Sequence, residues 1–318
     1  MVSVCIPAFN AEDYINDALD SLLNQSYNNI EIIILDDCST DNTVEIINSY
    51  LSLFNDIKFI KNDINIGYLE SFNKLLSHTN GEYISFLDAD DWISKDKILL
   101  QVEFLNKNKD IGAVGTSIQR ADRNGRLLNI EKYPKTNDEI VDYFHEKQDV
   151  CFCGSSLMIR KSILDAVGGY NIFFKDCPGE DYDWILRVSL LTKLANIDEV
   201  LYFYRFSENS LTRKVYYDVK QRHINDIIFY LYNKRKELGY DPLISDLESV
   251  DNYICNLNRK ESNFNIYYSA SIQHAINGDY KLSISDYFKT FNYGRNYTLN
   301  IKNIFLIVMI LIIPNTIL

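Results

Sequence analysis

Carboxylates crowd together at three places in this chain of 318 residues. Asp88, Asp90 and Asp91 fall within four residues of "GEYISFLDADDWIS", where an apolar run ends. Asp36 and Asp37 close "IEIIILDD", and Glu180 and Asp181 open "EDYDWILRV". Like charges this close repel, so solvent, a helix N-terminus or a cation must compensate them. On an extended segment Asp88 and Asp90 point to the same side, one pleat apart. Asp91 reads instead as a cap for "WISKDKILL". Asp36 and Asp37 could cap the helix that follows them, although Ser39, Thr40 and Asp41 already offer caps.

The elements that position these acids alternate. "VSVCIPAF" is an apolar, β-branched run ended by Pro7 and Asn10. Tyr14, Ile15, Ala18, Leu19, Leu22 and Leu23 then recur at helical spacing, with Glu12 and Asp13 in the first turn. "IEIIILDD", "IKFIKN" and "YISFLDADD" read as further strands, "STDNTVEIINSYL" and "LESFNKLLSH" as helices, and "IGAVGTSIQ" as another strand. Wholly apolar strands in a β-α-β-α order predict an α/β fold, a Rossmann-like, mostly parallel sheet with helices on both faces. In such sheets ligands bind beyond the carboxyl ends of the strands, where Asn10, Asp36, Asp37, Asn65, Asp88 and Asp90 converge. "RADRNGRLLN" predicts a hairpin around Asn124-Gly125. Beyond about residue 216 the pattern is helical, with one helix pair hinged at Gly278.

Composition narrows the function classes. Hydrophobic residues make up 47% and charged residues 24%, an ordinary globular balance. A net charge of −12 excludes sequence-independent nucleic-acid binding, which needs a basic face. The six cysteines lack the spacing of a zinc site or a disulfide framework. The opening "MVSVCIPAFN" has no basic, apolar leader, so a cytoplasmic location is expected. The apolar run Ile304 to Ile313 would be roughly 15 Å long as a helix, about half a ~30 Å hydrocarbon core. It reads either as a buried C-terminal helix or as a peripheral membrane contact at the inner face of the cytoplasmic membrane.

"VCIPAFNAEDYINDAL", "EIIILDDCSTDNT", "NIGYLESFNKLL", "GEYISFLDADDW" and "GEDYDWILRV", in that order, resemble the family 2 glycosyltransferases, which have the A-type nucleotide-sugar fold. The resemblance covers about residues 1 to 215. It implies a catalytic domain with a nucleotide-sugar-binding half, 1–115, and an acceptor-binding half, 116–215, followed by a helical region, 216–318, whose apolar tail is 304–313. The implied activity is inverting, metal-dependent transfer of a hexose or N-acetylhexosamine from a UDP-sugar to a glycan or lipid-linked glycan acceptor. The family's usual setting is bacterial capsule or lipopolysaccharide synthesis. The Q-x-x-R-W signature of processive synthases is absent, which points to one sugar added per encounter.

By the same resemblance Asp90 ligates Mn²⁺ or Mg²⁺, and Asp88 contacts the ribose or a metal-bound water. A hard divalent ion held by one or two carboxylates plus donor phosphates suits this chemistry. Pro7, Ala8, Phe9 and Glu12 border the nucleotide, Asp37 accepts from the uracil N–H, and Asn65 and Gly67 form the next loop. Many relatives carry Arg before the residue matching Asn73; here it is Phe72. Asp181 holds the general-base position, its ionised form favoured by the helix N-terminus. Glu180 orients a sugar hydroxyl. Trp184 could stack on a sugar, although Trp184, Ile185 and Val188 read first as a core stripe, and Asp183 with Arg187 reads as a surface pair. Arg205 or Arg213 closes over the donor phosphates. Two other classes stay open: a nucleotidyltransferase that makes nucleotide sugars, and a non-catalytic carbohydrate-binding protein.

Overall fold

The structure, a computed structural model, describes residues 1–54, 56–206, 215–260 and 263–290. Contacts divide the chain into two compact units, Met1–Ser207 and Glu208–Leu318.

The first unit holds one nine-stranded sheet. Its strands are β1 (Val2–Ala8), β2 (Ile30–Asp36), β3 (Ile57–Lys61), β4 (Tyr83–Phe86), β5 (Trp92–Ile93), β6 (Ile111–Ala121), β7 (Leu127–Glu131), β8 (Met158–Arg160) and β9 (Lys193–Arg205). The order is β3-β2-β1-β4-β8-β6-β9-β5, with β7 also on β6. β1, β2, β3 and β4 run parallel, as do β6 and β9. β8 is antiparallel between β4 and β6, and β5 and β7 are antiparallel edges. The sheet is thus parallel over its first four strands and mixed beyond them. The expected hairpin at Asn124-Gly125 is the β6–β7 connection, with Gly125 at φ 79°.

Helices α1 (Ile15–Leu23), α2 (Thr43–Tyr50), α3 (Tyr68–Leu76), α4 (Lys97–Lys107), α5 (Asn137–Lys147), α6 (Lys161–Val167) and α7 (Glu180–Ser189) accompany the sheet. β1 and β2 are buried at nearly every position, as strands covered on both faces must be. α1 buries Ile15, Ala18, Leu19 and Leu22 against one face, beside Val4, Ile6 and Ile34. Each of the larger of these side chains, the Val, Ile and Leu, contributes about 1.5–3 kcal/mol by leaving water.

Some local expectations change. The fourth strand stops at Phe86, and residues 88–91 form a turn in which Asp91 N donates to Asp88 O at 3.1 Å. Asp88 and Asp90 therefore lie on a turn rather than on an extended segment. Trp92–Ile93 is a short strand, and Asp96 takes the N-cap position of α4, so Asp91 caps nothing. α1 begins at Ile15, after Glu12 and Asp13, and the N-cap of α2 is Asn42.

The second unit contains α8 (Val219–Arg222), α9 (Ile224–Leu238), α10 (Pro242–Ser245), α11 (Leu247–Lys260), α12 (Asn263–Ile276) and α13 (Tyr280–Thr290). Gly278, at φ 83°, makes the turn between α12 and α13. Among the described residues no helix is long and apolar enough to cross a membrane. Arg213 and the run 304–313 lie outside the described residues.

Candidate active site

Because β1, β2 and β4 are parallel, their carboxyl ends share one rim. Pro7 and Ala8 end β1 beside Leu35 and Asp36 of β2, and Phe9 stands half-exposed beyond them. The loops after β1 and β2 are cross-tied: Asn10 N donates to Ser39 Oγ at 2.9 Å, and Ala11 N to Thr43 Oγ1 at 2.7 Å. Glu12 Oε2 accepts from Asn42 N at 2.9 Å and from Asn42 Nδ2 at 2.7 Å. Glu12 therefore braces the start of α2.

Asp37 builds the next wall. Its Oδ1 accepts from Asn62 Nδ2 at 2.8 Å and Ile66 N at 2.9 Å, and its Oδ2 accepts from Gly67 N at 2.8 Å. Gly67 sits at φ 90°, a backbone state L side chains rarely adopt, and begins α3. Asn65 is exposed on this loop, and the bond that organises it comes from Asn62, which the sequence reading did not single out. Oδ2 retains a second lone pair.

The turn at residues 88–91 is held from several sides. Asp88 accepts at Oδ2 from the Ser155 hydroxyl and at Oδ1 from Tyr68 OH, 3.4 Å away. Loss of water around its carboxyl, then the neighbouring Asp90 charge, pushes its pKa up to about 7. Asp91 is buried and accepts from Tyr202 OH and from Arg205 N, each at 2.7 Å. Arg205, 4% exposed, donates from Nε to Asp90 O at 2.8 Å, from Nη1 to Arg123 O at 3.1 Å, and from Nη2 to Asp17. Its guanidinium also lies 4.8 Å from the Tyr14 ring centroid and 4.7 Å from that of Trp92. The structure thus places Arg205 against the main chain of Asp90, where its donors are used by the protein. Phosphate closure by this side chain does not match that placement.

Glu180 and Asp181 open α7. Burial raises the pKa of Asp181, with hydrogen bonds from Tyr182 N and its own backbone opposing the rise. This opposes the expected effect of the helix terminus, because desolvation outweighs the backbone donors. Glu180 is also raised, first by burial and then by Asp181. Asp88, Glu180 and Asp181 lie close enough to influence one another's charge.

A single-turn 3-10 segment, Gly154–Ser156, joins the two sides. Ser155 binds Asp88, and a Cβ added at Gly154 would lie 3.1 Å from Asp181 Oδ2. Tyr68 and Tyr170 complete the wall as phenols held protonated by burial and by the same carboxylates. Phe72, in the place of the relatives' Arg, stacks on Tyr170 at 4.0 Å between centroids. Asn73 clamps the Tyr170 backbone, donating to its carbonyl at 2.9 Å and accepting from its N–H at 2.7 Å. Ser155, Gly154, Tyr68 and Tyr170 were missed in the sequence; the small-residue run "CGSSL" was the available signal.

Two residues of "EDYDWILRV" are corrected. Trp184 is 2% exposed, donates to Gly168 O at 2.8 Å and meets Phe72, Phe86 and Tyr170 edge-on. It is core and offers no face to a sugar. Asp183 is fully buried and pairs with Arg187 at 2.9 Å, while Arg187 also donates to Val167 O and Gly169 O. The pair is interior, because the face of α7 that carries it packs under the loop 167–169.

A metal can be tested against this donor set. Among the described residues no group of three or more His, Cys, Asp or Glu side chains is placed to hold a metal ion by itself. Asp88 and Asp90 remain as a pair of carboxylates on one turn, and burial first, then the Asp90 charge, raises the Asp88 pKa. Carboxylates of this kind fit a hard divalent ion whose remaining ligands come from a bound diphosphate.

Comparison with known proteins gives the family and the fold. The glycosyl transferase family 2 model matches residues 3–168. The putative teichuronic acid biosynthesis glycosyltransferase TuaG of Bacillus subtilis is 43% identical over 105 residues, 33% of this chain and 42% of TuaG. Staphylococcus aureus TarS 1-349 in complex with UDP-GlcNAc superposes with a TM-score of 0.56 at 18% identity, covering 91% of this chain and 89% of that one. The mannosyltransferase PcManGT of Pyrobaculum calidifontis, in complex with GDP-Man and Mn²⁺, gives 0.55 at 16% identity, over 96% and 80%. These structures share the fold, a mixed sheet with helices on both sides. With more than half of its length matched by the family model, the chain belongs to glycosyl transferase family 2.

Proposed function

We propose that this protein is an inverting, non-processive glycosyltransferase that moves one sugar from a UDP-sugar to a hydroxyl of a glycan or lipid-linked glycan during assembly of a bacterial surface polysaccharide. The observation that carries the reading is the Gly154–Ser155 turn, which touches Asp181 with one residue and Asp88 with the next. That turn supports reading Asp88 as the donor-side acid and Asp181 as the proton acceptor of one site. The surface-polymer setting draws on the printed role of TuaG, and the UDP donor on the ligand of TarS.

In this reading Pro7, Ala8 and Phe9 border the nucleotide, and the spare lone pair of Asp37 Oδ2 accepts the uracil N–H. Asp90, with Asp88 beside it, would hold Mn²⁺ or Mg²⁺, which supplies charge neutralisation for the departing diphosphate. The acceptor oxygen bonds to the anomeric carbon as the carbon–oxygen bond to UDP breaks, and the hydroxyl proton passes to the Asp181 carboxylate. Glu180 positions a sugar hydroxyl. Burial raises the basicity of Asp181, so the proton acceptor is stronger than an exposed aspartate.

Asp181→Asn tests the assignment. Calorimetry should show UDP binding within about twofold of the parent, while transfer falls roughly 10²–10⁴-fold, the usual worth of general-base catalysis. The acid limb of the parent kcat/KM profile should be displaced upward from that of an exposed aspartate, because burial raises the Asp181 pKa. Wild-type turnover in the variant would remove Asp181 from this role. A screen of nucleotide sugars by slow hydrolysis, with and without EDTA, identifies donor and metal together. Product formation from a sugar-1-phosphate and a nucleoside triphosphate would instead indicate a nucleotidyltransferase, and no turnover of any donor a carbohydrate-binding protein.

A further inference from the structure

Asn62 follows β3, and its backbone N–H continues the ladder by donating to Asp36 O at 2.9 Å. Its side chain is buried and held at both ends. Asn62 Nδ2 donates to Asp37 Oδ1 at 2.8 Å and to Ser71 Oγ at 3.4 Å, while Asn62 Oδ1 accepts from Lys74 Nζ at 2.6 Å. Ser71 and Lys74 lie three residues apart on α3, so one face of that helix meets the amide. A line of polar groups thus runs from an ammonium, through an amide, to a strand-end carboxylate.

The direction of that line is set by chemistry. An amide can exchange the places of its oxygen and nitrogen, but an ammonium has donors only. A flipped Asn62 would set its NH2 against Lys74 Nζ and its oxygen against Asp37 Oδ1, two repulsions in place of two hydrogen bonds. The Ser71 hydroxyl donates or accepts equally well and does not decide the matter. Lys74 therefore keeps the N–H end of Asn62 on Asp37. An ionised carboxylate offers about four lone-pair sites. Asn62 Nδ2 and Ile66 N take two at Oδ1, and Gly67 N takes one at Oδ2. Turning the carboxyl would break all three bonds at once, so Asp37 is presented as an acceptor with one position left.

We infer that Asn62 and Lys74 are positioning residues through which Asp37 selects the nucleobase, admitting an imide N–H and rejecting a ring nitrogen that carries a lone pair. The inference rests on the reading of Asp37 as the acceptor for uracil. Uracil and cytosine share one ring shape, but N3 is a donor in uracil and an acceptor in cytosine. With the relay intact, cytosine N3 faces a fixed oxygen lone pair. Its amino group lies one atom further round the ring and reaches that oxygen only if the base shifts. Without the relay the Asp37 carboxyl is free to turn, and discrimination weakens. Asn62→Asp goes further, because two carboxyls in hydrogen-bond reach share a proton, which can then be donated to cytosine N3.

The experiment compares dissociation constants of UDP and CDP by calorimetry with Mn²⁺ present, in the parent and in three variants. Ribose and diphosphate are common to both ligands, so metal and phosphate contacts cancel in the ratio. The parent should bind UDP about tenfold or more tightly than CDP, the penalty of setting acceptor against acceptor. Lys74→Met should lower that ratio by about threefold or more. Asn62→Asp should bring it to within about threefold of unity. Lys74→Arg keeps a donor-only head and should keep the parent ratio. Melting temperature checks the fold; if Asn62→Asp melts early, Lys74→Met, altered at an exposed residue, carries the test. A parent ratio retained by Lys74→Met or by a folded Asn62→Asp, even with both affinities equally reduced, overturns the inference and leaves the UDP reading standing. A parent that binds UDP and CDP alike overturns both.

Discussion

At the scale of single residues, the site depends on side chains that never touch the reacting atoms. Ser155 gives Asp88 a hydroxyl donor on the face opposite Tyr68, and Gly154 leaves just enough room for Asp181. Ser155→Ala should weaken calorimetric UDP binding in the presence of Mn²⁺ by about tenfold, because a hydrogen bond to an ionised group contributes ~1.5–3 kcal/mol; Ser155→Thr should restore most of it. Gly154→Ala should do the reverse. Its added methyl presses on Asp181 Oδ2 at 3.1 Å, so transfer should fall, by about tenfold to a hundredfold, while nucleotide affinity holds. Equal losses of binding and transfer in both variants would mean that the turn serves only the fold.

At the scale of elements, Arg205 links β9 to the turn after β4. It donates to the carbonyls of Asp90 and Arg123 and to the exposed carboxylate of Asp17. Arg205→Met should cost about 2 kcal/mol in urea melts, chiefly from the lost hydrogen bonds to the Asp90 and Arg123 carbonyls, and should weaken metal-dependent UDP binding with it. Loss of binding at unchanged stability would return Arg205 to phosphate contact. The sequence made the parallel half of the sheet legible, because Val2–Ala8 and Ile30–Asp36 are apolar at nearly every position, and polar Asn10 and Asp36 mark where the runs stop. It did not reveal that three-residue β8 lies antiparallel between β4 and β6, since so short a strand carries no period and its partners are distant in the chain. Trp184 was legible as core from its stripe with Ile185 and Val188. Asp183 was not, because its pair with Arg187 is turned inward by the loop 167–169, whose carbonyls take the other Arg187 donors. Asp91 could not be read either, because Tyr202 and Arg205 lie more than a hundred residues away.

At the scale of the whole molecule, one buried cation works against stability. Lys97 is fully buried at the start of α4, with Ser85 Oγ 3.0 Å from its Nζ, and burial lowers its pKa to about 7. In the unfolded chain this amine titrates near 10.4. Between the two values the unfolded state binds the extra proton, so the stability contributed by this site rises with pH from about 7 to about 10 and is lost as pH falls toward 7. Lys97→Met should therefore raise stability at pH 7 by on the order of 2–4 kcal/mol and flatten the dependence of melting temperature on pH between 7 and 10. A variant less stable than the parent at pH 7 would show that the Ser85 contact outweighs desolvation. The reach of Arg205 across the fold has a further consequence for biosynthesis. A ribosome that has delivered the first 170 residues has already supplied each strand-end acid of the donor rim, yet the clasp around Asp90 and Asp91 still awaits the final strand. Nucleotide capture should switch on late in vectorial synthesis, and arrested polypeptides released before that strand emerges should not compete with finished enzyme for sugar nucleotide.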